Sequence, residues 1–239
     1  MLKKRITSLV AAIAFFTGVL MTPLMAGSIG MGVGVLGVFA ESDGTETLRQ
    51  SGVVTHRNGE NGAGLAMPAG YIQYTFGEDG FVFGLEKIPG TAELGKSDIH
   101  RTNDNTTQAG NLCAGAVVCD GVRQLAKASL KNHLGAYIET PSLGGLFLKA
   151  GLSQADLITE EDLGTGSSYP NDEVKGVTLG VGFRGTTDSG IHMKAIAEYT
   201  DYDTIEINGS EASAADNGRN KISADIVTYG LRVSIGYNF

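Results

Sequence analysis

From Val227 to Phe239 the chain alternates without a break. Val227, Tyr229, Leu231, Val233, Ile235, Tyr237 and Phe239 are apolar or aromatic, and Thr228, Gly230, Arg232, Ser234, Gly236 and Asn238 are small or polar. A sustained period of two predicts a β-strand with one apolar and one polar face. Its thirteen residues are about twice the usual strand length in a soluble protein. The pattern recurs seven times upstream. It appears in GSIGMGVGV with Ile29, Met31, Val33 and Val35, in AGYIQYTF with Ile72, Tyr74 and Phe76, and in FVFGLE with Phe81, Phe83 and Leu85. It continues in LFLKAGLS with Leu146, Leu148, Ala150 and Leu152, in VTLGVGFR with Val177, Leu179, Val181 and Phe183, and in IHMKAIAEYT with Ile191, Met193, Ala195, Ala197 and Tyr199.

The remaining strand, SLKNHLGAYIE, fits less well. Its apolar parity is Leu130, Leu134, Ala136 and Ile138, and Asn132 falls on the same face. The opposite parity would turn Lys131, His133 and Glu139 outward. In a membrane a lysine there costs roughly 2–4 kcal/mol. The first parity is therefore expected, with a bulge near Asn132.

Eight strands are joined by connections of alternating length. Residues 77–80, 140–145 and 185–190 are short turns, whereas 41–64, 88–125, 157–173 and 203–222 read as long polar loops. An even number of strands with short turns on one rim and long loops on the other predicts an all-β, eight-stranded antiparallel up-and-down transmembrane barrel. The aromatics Tyr74, Phe76, Phe81, Phe83, Phe183, Tyr237 and Phe239 all fall near the short-turn rim, where an interfacial girdle belongs. A mean hydropathy of +0.02 suits strands whose two faces cancel and argues against several apolar helices.

The first residues add an address. Lys3, Lys4 and Arg5 precede an apolar core from Leu9 to Met21 and a small Ala26, the three parts of a secretory signal. The expected organisation is a cleaved leader at 1–26 and a barrel at 27–239. Loss of the leader takes the formal net charge from −8 to −11, so the basic footprint of a nucleic-acid binder is missing. Cys113 and Cys119 lie in CAGAVVC. In an exported chain this even count reads as a disulfide, and the spacing and neighbours do not suit a metal or redox pair.

With its leader, eight alternating strands, loop asymmetry and terminal Tyr237-Asn238-Phe239, the chain resembles the small outer-membrane β-barrel proteins. That eight-stranded group includes OmpA-like membrane domains, OmpX and the opacity proteins. The resemblance spans 27–239. It implies residence in the outer membrane of a Gram-negative-type cell, contact with lipid and lipopolysaccharide, and a monomeric barrel. It also implies that Tyr237 and Phe239 form the C-terminal signal read by the barrel-assembly machinery.

A barrel of eight strands is just wide enough for side chains to fill. The inward parity supplies Glu86, Lys131, His133, Glu139, Lys149, Arg184, Lys194, Glu198 and Arg232. Mixed signs point to a cross-braced ionic network rather than a selective constriction. The glycines at 30, 32, 34, 180 and 182 leave room on the inner wall, which keeps a narrow channel in view. No His–Ser or carboxylate constellation marks a catalytic rim, and the acidic stretch TEEDLGTGSSYPNDE lacks the order of a calcium loop. The sequence therefore predicts a non-enzymatic barrel without cofactors. Its expected role is structural or surface interaction through the long loops, and the alternative is a narrow porin-like channel for ions or small solutes.

Overall fold

The computed structural model describes residues 27–50, 53–77, 80–101, 122–162, 168–212 and 218–239. The expected leader at 1–26 and the pair Cys113 and Cys119 lie outside the described residues. The strands are β1 (Gly27–Gln50), β2 (Val53–Phe76), β3 (Val82–Arg101), β4 (Val122–Glu139), β5 (Leu146–Asp162), β6 (Asp172–Thr186), β7 (Ile191–Tyr202), β8 (Ile205–Ala212) and β9 (Arg219–Asn238). Every neighbouring pair is antiparallel, and β1 also pairs with β9, so the sheet closes. β7 and β8 pair with β9 in succession, Asp201 opposite Val227 and Ile205 opposite Ala224. They are one wall strand interrupted at Asp203 and Thr204 by one extra residue, so the ring has eight strands.

Burial is inverted relative to a soluble protein. Leu231 is 62% exposed and Val33 65%, while Arg232 and Lys149 are 3% exposed. An apolar outer wall around a polar interior is the membrane-barrel arrangement. Aromatic rings mark both edges of that wall. At the short-turn rim Tyr74, Phe76 and Phe83 pack edge to face, as do Tyr237 and Phe239. Higher on the wall, Phe39 pairs with Tyr229 and Tyr229 with Tyr199. Ten residue steps along the last strand lead from Tyr229 to Phe239. At ~3.3 Å per residue and ~40° of tilt they span about 25 Å, the height of an outer-membrane apolar band. Above Phe39 the outer face turns charged at once with Glu41 and Asp43.

Two expectations need correction. Among the described residues the long connections are largely strand: β1 and β2 stay in register out to Gln50 opposite Val53, so most of 41–64 is a hairpin ladder. Polar residues there mark strand that has left the lipid. Leu130, expected on the lipid face, is 5% exposed and packs in the interior cluster. The cause is the bulge at Asn132, where Asn132 and His133 stand opposite the single residue Ala155. Asn132 adopts φ +54°, a left-handed conformation that asparagine tolerates better than most residues, and its amide donates to Asp156 Oδ2 at 2.8 Å. The extra residue flips the parity beyond it.

One seam of the wall is short. β2 and β3 pair only from Thr75–Val82 to Gly70–Lys87. The Phe76 amide donates to the Phe81 carbonyl at 2.9 Å, which makes that rung a hydrogen-bonded one. Such rungs recur every second residue in an antiparallel pair, hence at 74/83, 72/85 and 70/87. The next would be Pro68 opposite Pro89. Both amides that the rung requires are absent, so the ladder ends there. Beyond it β2 follows β1 and β3 follows β4.

Candidate functional site

The lumen is layered. In its lower half, toward the short-turn rim, Glu139 on β4 accepts from Lys194 on β7 at 2.7 and 2.8 Å and from Arg184 on β6 at 3.0 Å. Arg184 also donates to the Gly80 carbonyl at 2.7 Å, and Lys194 to Gln73 Oε1 at 2.6 Å. One layer higher, four charges from four strands form a closed ring. Arg232 donates to Glu86 at 2.6 Å and to Glu198 at 2.7 Å. Lys149 donates to the same two carboxylates at 2.8 and 2.9 Å. Two acids and two bases leave this ring neutral. Charges taken out of water persist only with such complete pairing.

Aromatic rings fill the space between the layers. Lys149 Nζ lies 4.8 Å from the Tyr137 ring centre and Lys194 Nζ 5.4 Å from that of Tyr71, within cation–π range. The Tyr71 hydroxyl meets His192 Nε2 at 2.7 Å. The inner-wall glycines are the seats of these groups. A Cβ at Gly32 would strike the Tyr71 ring, one at Gly84 the Tyr137 ring, and one at Gly182 the Phe147 ring. The room that the glycines leave is therefore taken, and the gap bounded by Tyr71, Tyr137 and Arg232 is about 10 Å³, at most one water.

Of the residues expected in the lumen network, Glu86, Lys149, Glu198 and Arg232 meet in the upper ring, and Glu139, Arg184 and Lys194 in the lower layer. Lys131 stands apart, in register with exposed Thr91 and half-buried Asp156. His133 lies just above the ring and bonds to neither layer; its buried Nδ1 makes no hydrogen bond to the protein. At the chain end Tyr237 and Phe239 rings lie 5.0 Å apart on the outer wall.

Above the ring the interior changes character. Leu36, Val38, Ala40, Met67, Ile88, Ala92, Leu94, Leu130 and Leu157 form an apolar cluster facing inward. The signal is present in VGVLGVFA, where both parities are apolar after Val35; strict alternation conceals it. Between this cluster and the ring lies a cavity of about 40 Å³, bordered also by Lys131, His133, Thr178, Thr200, Tyr202 and Thr228. The wall beside it is the β2–β3 seam. Met67 lies across it from β2, its sulfur 3.0 Å from where a Cβ on Gly90 of β3 would stand.

No protein-family model matches the sequence, and no curated protein matches it. Among solved structures it is similar to the outer membrane protein OprG from Pseudomonas aeruginosa, with TM-score 0.52 and 14% identity over 90% of this chain and 97% of that one. The outer membrane protein AlkL aligns with TM-score 0.46 and 12% identity over 91% of this chain and 92% of that one. Ail of Yersinia pestis aligns with TM-score 0.39 and 12% identity over 90% of this chain and all of that one. The closed antiparallel ring, the apolar wall and the OprG alignment agree: the chain has the fold of the small outer-membrane β-barrel proteins.

Proposed function

We propose that this chain is an outer-membrane barrel whose lumen is plugged to ions in its periplasmic half and opens sideways, in its outer half, to small apolar molecules. The observation that carries the reading is the Pro68–Pro89 rung, which ends the β2–β3 ladder beside an apolar chamber and above a neutral, fully paired ring of charges. An ion would have to displace those pairs, whereas an apolar solute meets the Leu, Ile, Val and Met side chains on the upper border of the chamber and then lipid. At about 40 Å³ the resting chamber holds a water or two, so passage requires Met67 to leave Gly90. The reading contains no catalytic step.

It also includes export by a cleaved leader at 1–26, insertion by the barrel-assembly machinery, a monomer in contact with lipopolysaccharide, and a Cys113–Cys119 disulfide. The disulfide is tested by alkylation without reductant: no free thiol is expected in protein taken from membranes.

Function is tested by two measurements on one protein. Planar-bilayer recording should show no steady ion conductance. Cells carrying the barrel should take up the apolar dye N-phenyl-1-naphthylamine faster than cells without it. Regular conductance steps with unchanged dye uptake would instead establish the narrow porin-like channel. A structural or surface-interaction role is the second reading, favoured by the β1–β2 hairpin. Eleven residues of β1 continue beyond Phe39, roughly 35 Å of ladder, a stiff arm for presenting a contact surface. Its removal would abolish adhesion and leave dye uptake intact if that role is separate.

A further inference from the structure

We infer that the chamber above the charged ring selects small amphiphiles with a hydrogen-bonding head, and that His133 recognises the head. This rests on the side-entry reading above and names its ligand class. The chamber has an apolar roof, and its border also carries Lys131, His133, Tyr202 and three threonines; among the described buried polar atoms on that border, His133 Nδ1 alone lacks a protein partner. Glu86 and Glu198 are already engaged by Arg232 and Lys149. Thr178 and Thr200 bond to each other at 2.8 Å, and Thr178 also to Ser153 at 2.7 Å. The His133 Nδ1, which borders the same chamber, is buried without a protein partner.

That position is built by the backbone. The Asn132 bulge, tied to Asp156, sets the residues on either side of it, Leu130, Lys131 and His133, along the border of the chamber. Bulges re-aim single side chains in this way at binding sites. A buried polar atom left unmade is costly, so a ligand that satisfies it gains affinity over an apolar one of the same length. A hydroxyl both donates and accepts and therefore suits either tautomer of the imidazole.

The test uses the full barrel in lipid nanodiscs, labelled with ¹⁵N-histidine and ¹³C-methyl methionine. Four histidines and, of the six methionines, the three that follow the leader (Met31, Met67 and Met193) give few enough signals to assign by substitution. The probes are 1-octanol and n-octane at equal mole fraction in the lipid. Both should move the Met67 methyl signal, and only 1-octanol should move the His133 Nδ1 signal. His133→Phe should lower the preference for 1-octanol over n-octane about fivefold, the worth of one hydrogen bond, and His133→Gln should restore most of it. If both probes move Met67 but affect His133 alike, head recognition is overturned and side entry stands. If neither probe moves Met67, side entry falls and the inference falls with it.

Discussion

Carried two residues past Gly70 and Lys87, where pairing stops, the β2–β3 register would set Pro68 opposite Pro89. Two amide donors are missing at the one place where an antiparallel ladder would need both. In lipid an unmade backbone bond costs several kcal/mol, and a proline has no N–H to leave unmade. The pair therefore ends the ladder at lower cost than any other residues would.

Restoring those donors should close the seam. Pro68→Val with Pro89→Val is expected to extend the ladder by two hydrogen bonds, and either change alone by at most one. Amide exchange checks this. In the native chain the amides of Gly62, Gly64 and Ala66, which share the direction of the β3-facing set 70, 72, 74 and 76, should exchange at least roughly tenfold faster than Leu65 and Met67, which face β1. The double variant should show slowly exchanging amides at positions 68 and 89 and reduce dye uptake. Unchanged exchange would show that the strands are held apart by something other than the prolines.

Glu86 and Arg232 join β3 to β9 across the lumen, with Lys149 and Glu198 completing the ring. Glu86→Gln leaves two cations sharing one carboxylate and should cost about 3–5 kcal/mol of stability, as breaking a buried pair does. Replacing Glu86 and Arg232 together with methionine leaves the 2.9 Å Lys149–Glu198 pair and should cost less than the sum of the single changes. Denaturant titration in micelles measures the cycle. Additive losses would mean that the ring is four independent contacts. Conductance appearing only in the Glu86→Gln variant would support its role as the ion barrier.

Most of the wall is legible from the alternation, because lipid outside and polar groups inside repeat every second residue. Lys131 shows where that logic stops. Its parity with His133 and Glu139 holds only on one side of the bulge, and a period of two carries no information about where a residue is inserted. The ring partners are hidden for a different reason. Glu86, Lys149, Glu198 and Arg232 share the inward parity, but which of them meet is set by strand tilt and shear, which no single strand encodes. The apolar upper lumen is obscured because Leu36 and Val38 add grease to the face that otherwise reads as polar. Pro68 lies in a stretch that reads as the edge of a loop, so its place opposite Pro89 at the end of the ladder emerges only from the register.

The small residues of β1 make a sharper packing test. Gly32 faces inward against the Tyr71 ring and the Ile235 carbonyl, whereas Gly37 faces outward with its nearest atom at 3.7 Å from an added Cβ. Gly32→Ala should destabilise the barrel by about 1–3 kcal/mol through overpacking and disturb the Tyr71–His192 contact. Gly37→Ala should be neutral or slightly stabilising. Comparable thermal unfolding of both variants would mean that Tyr71 moves aside freely and that the glycine is not its seat.

Phe239 closes the last strand from outside. Its amide donates to the Ile29 carbonyl at 2.8 Å, its ring packs edge to face on Tyr237, and it is 70% exposed on the lipid side. Phe239→Ala removes one interfacial aromatic, at most about 1.5–3 kcal/mol, and keeps the backbone bond. A closed barrel with its ladders intact should tolerate that loss and refold in micelles with near-normal yield. Cellular assembly should suffer more if the terminal strand is the handle for strand addition by the assembly machinery, because the aromatic would then be read before the barrel exists. The comparison is between refolded yield in vitro and heat-modifiable protein in the outer membrane of cells. Good refolding with poor assembly identifies Phe239 as part of the signal. Equal losses in both would reduce it to a packing residue, and no loss in either would remove it from assembly altogether.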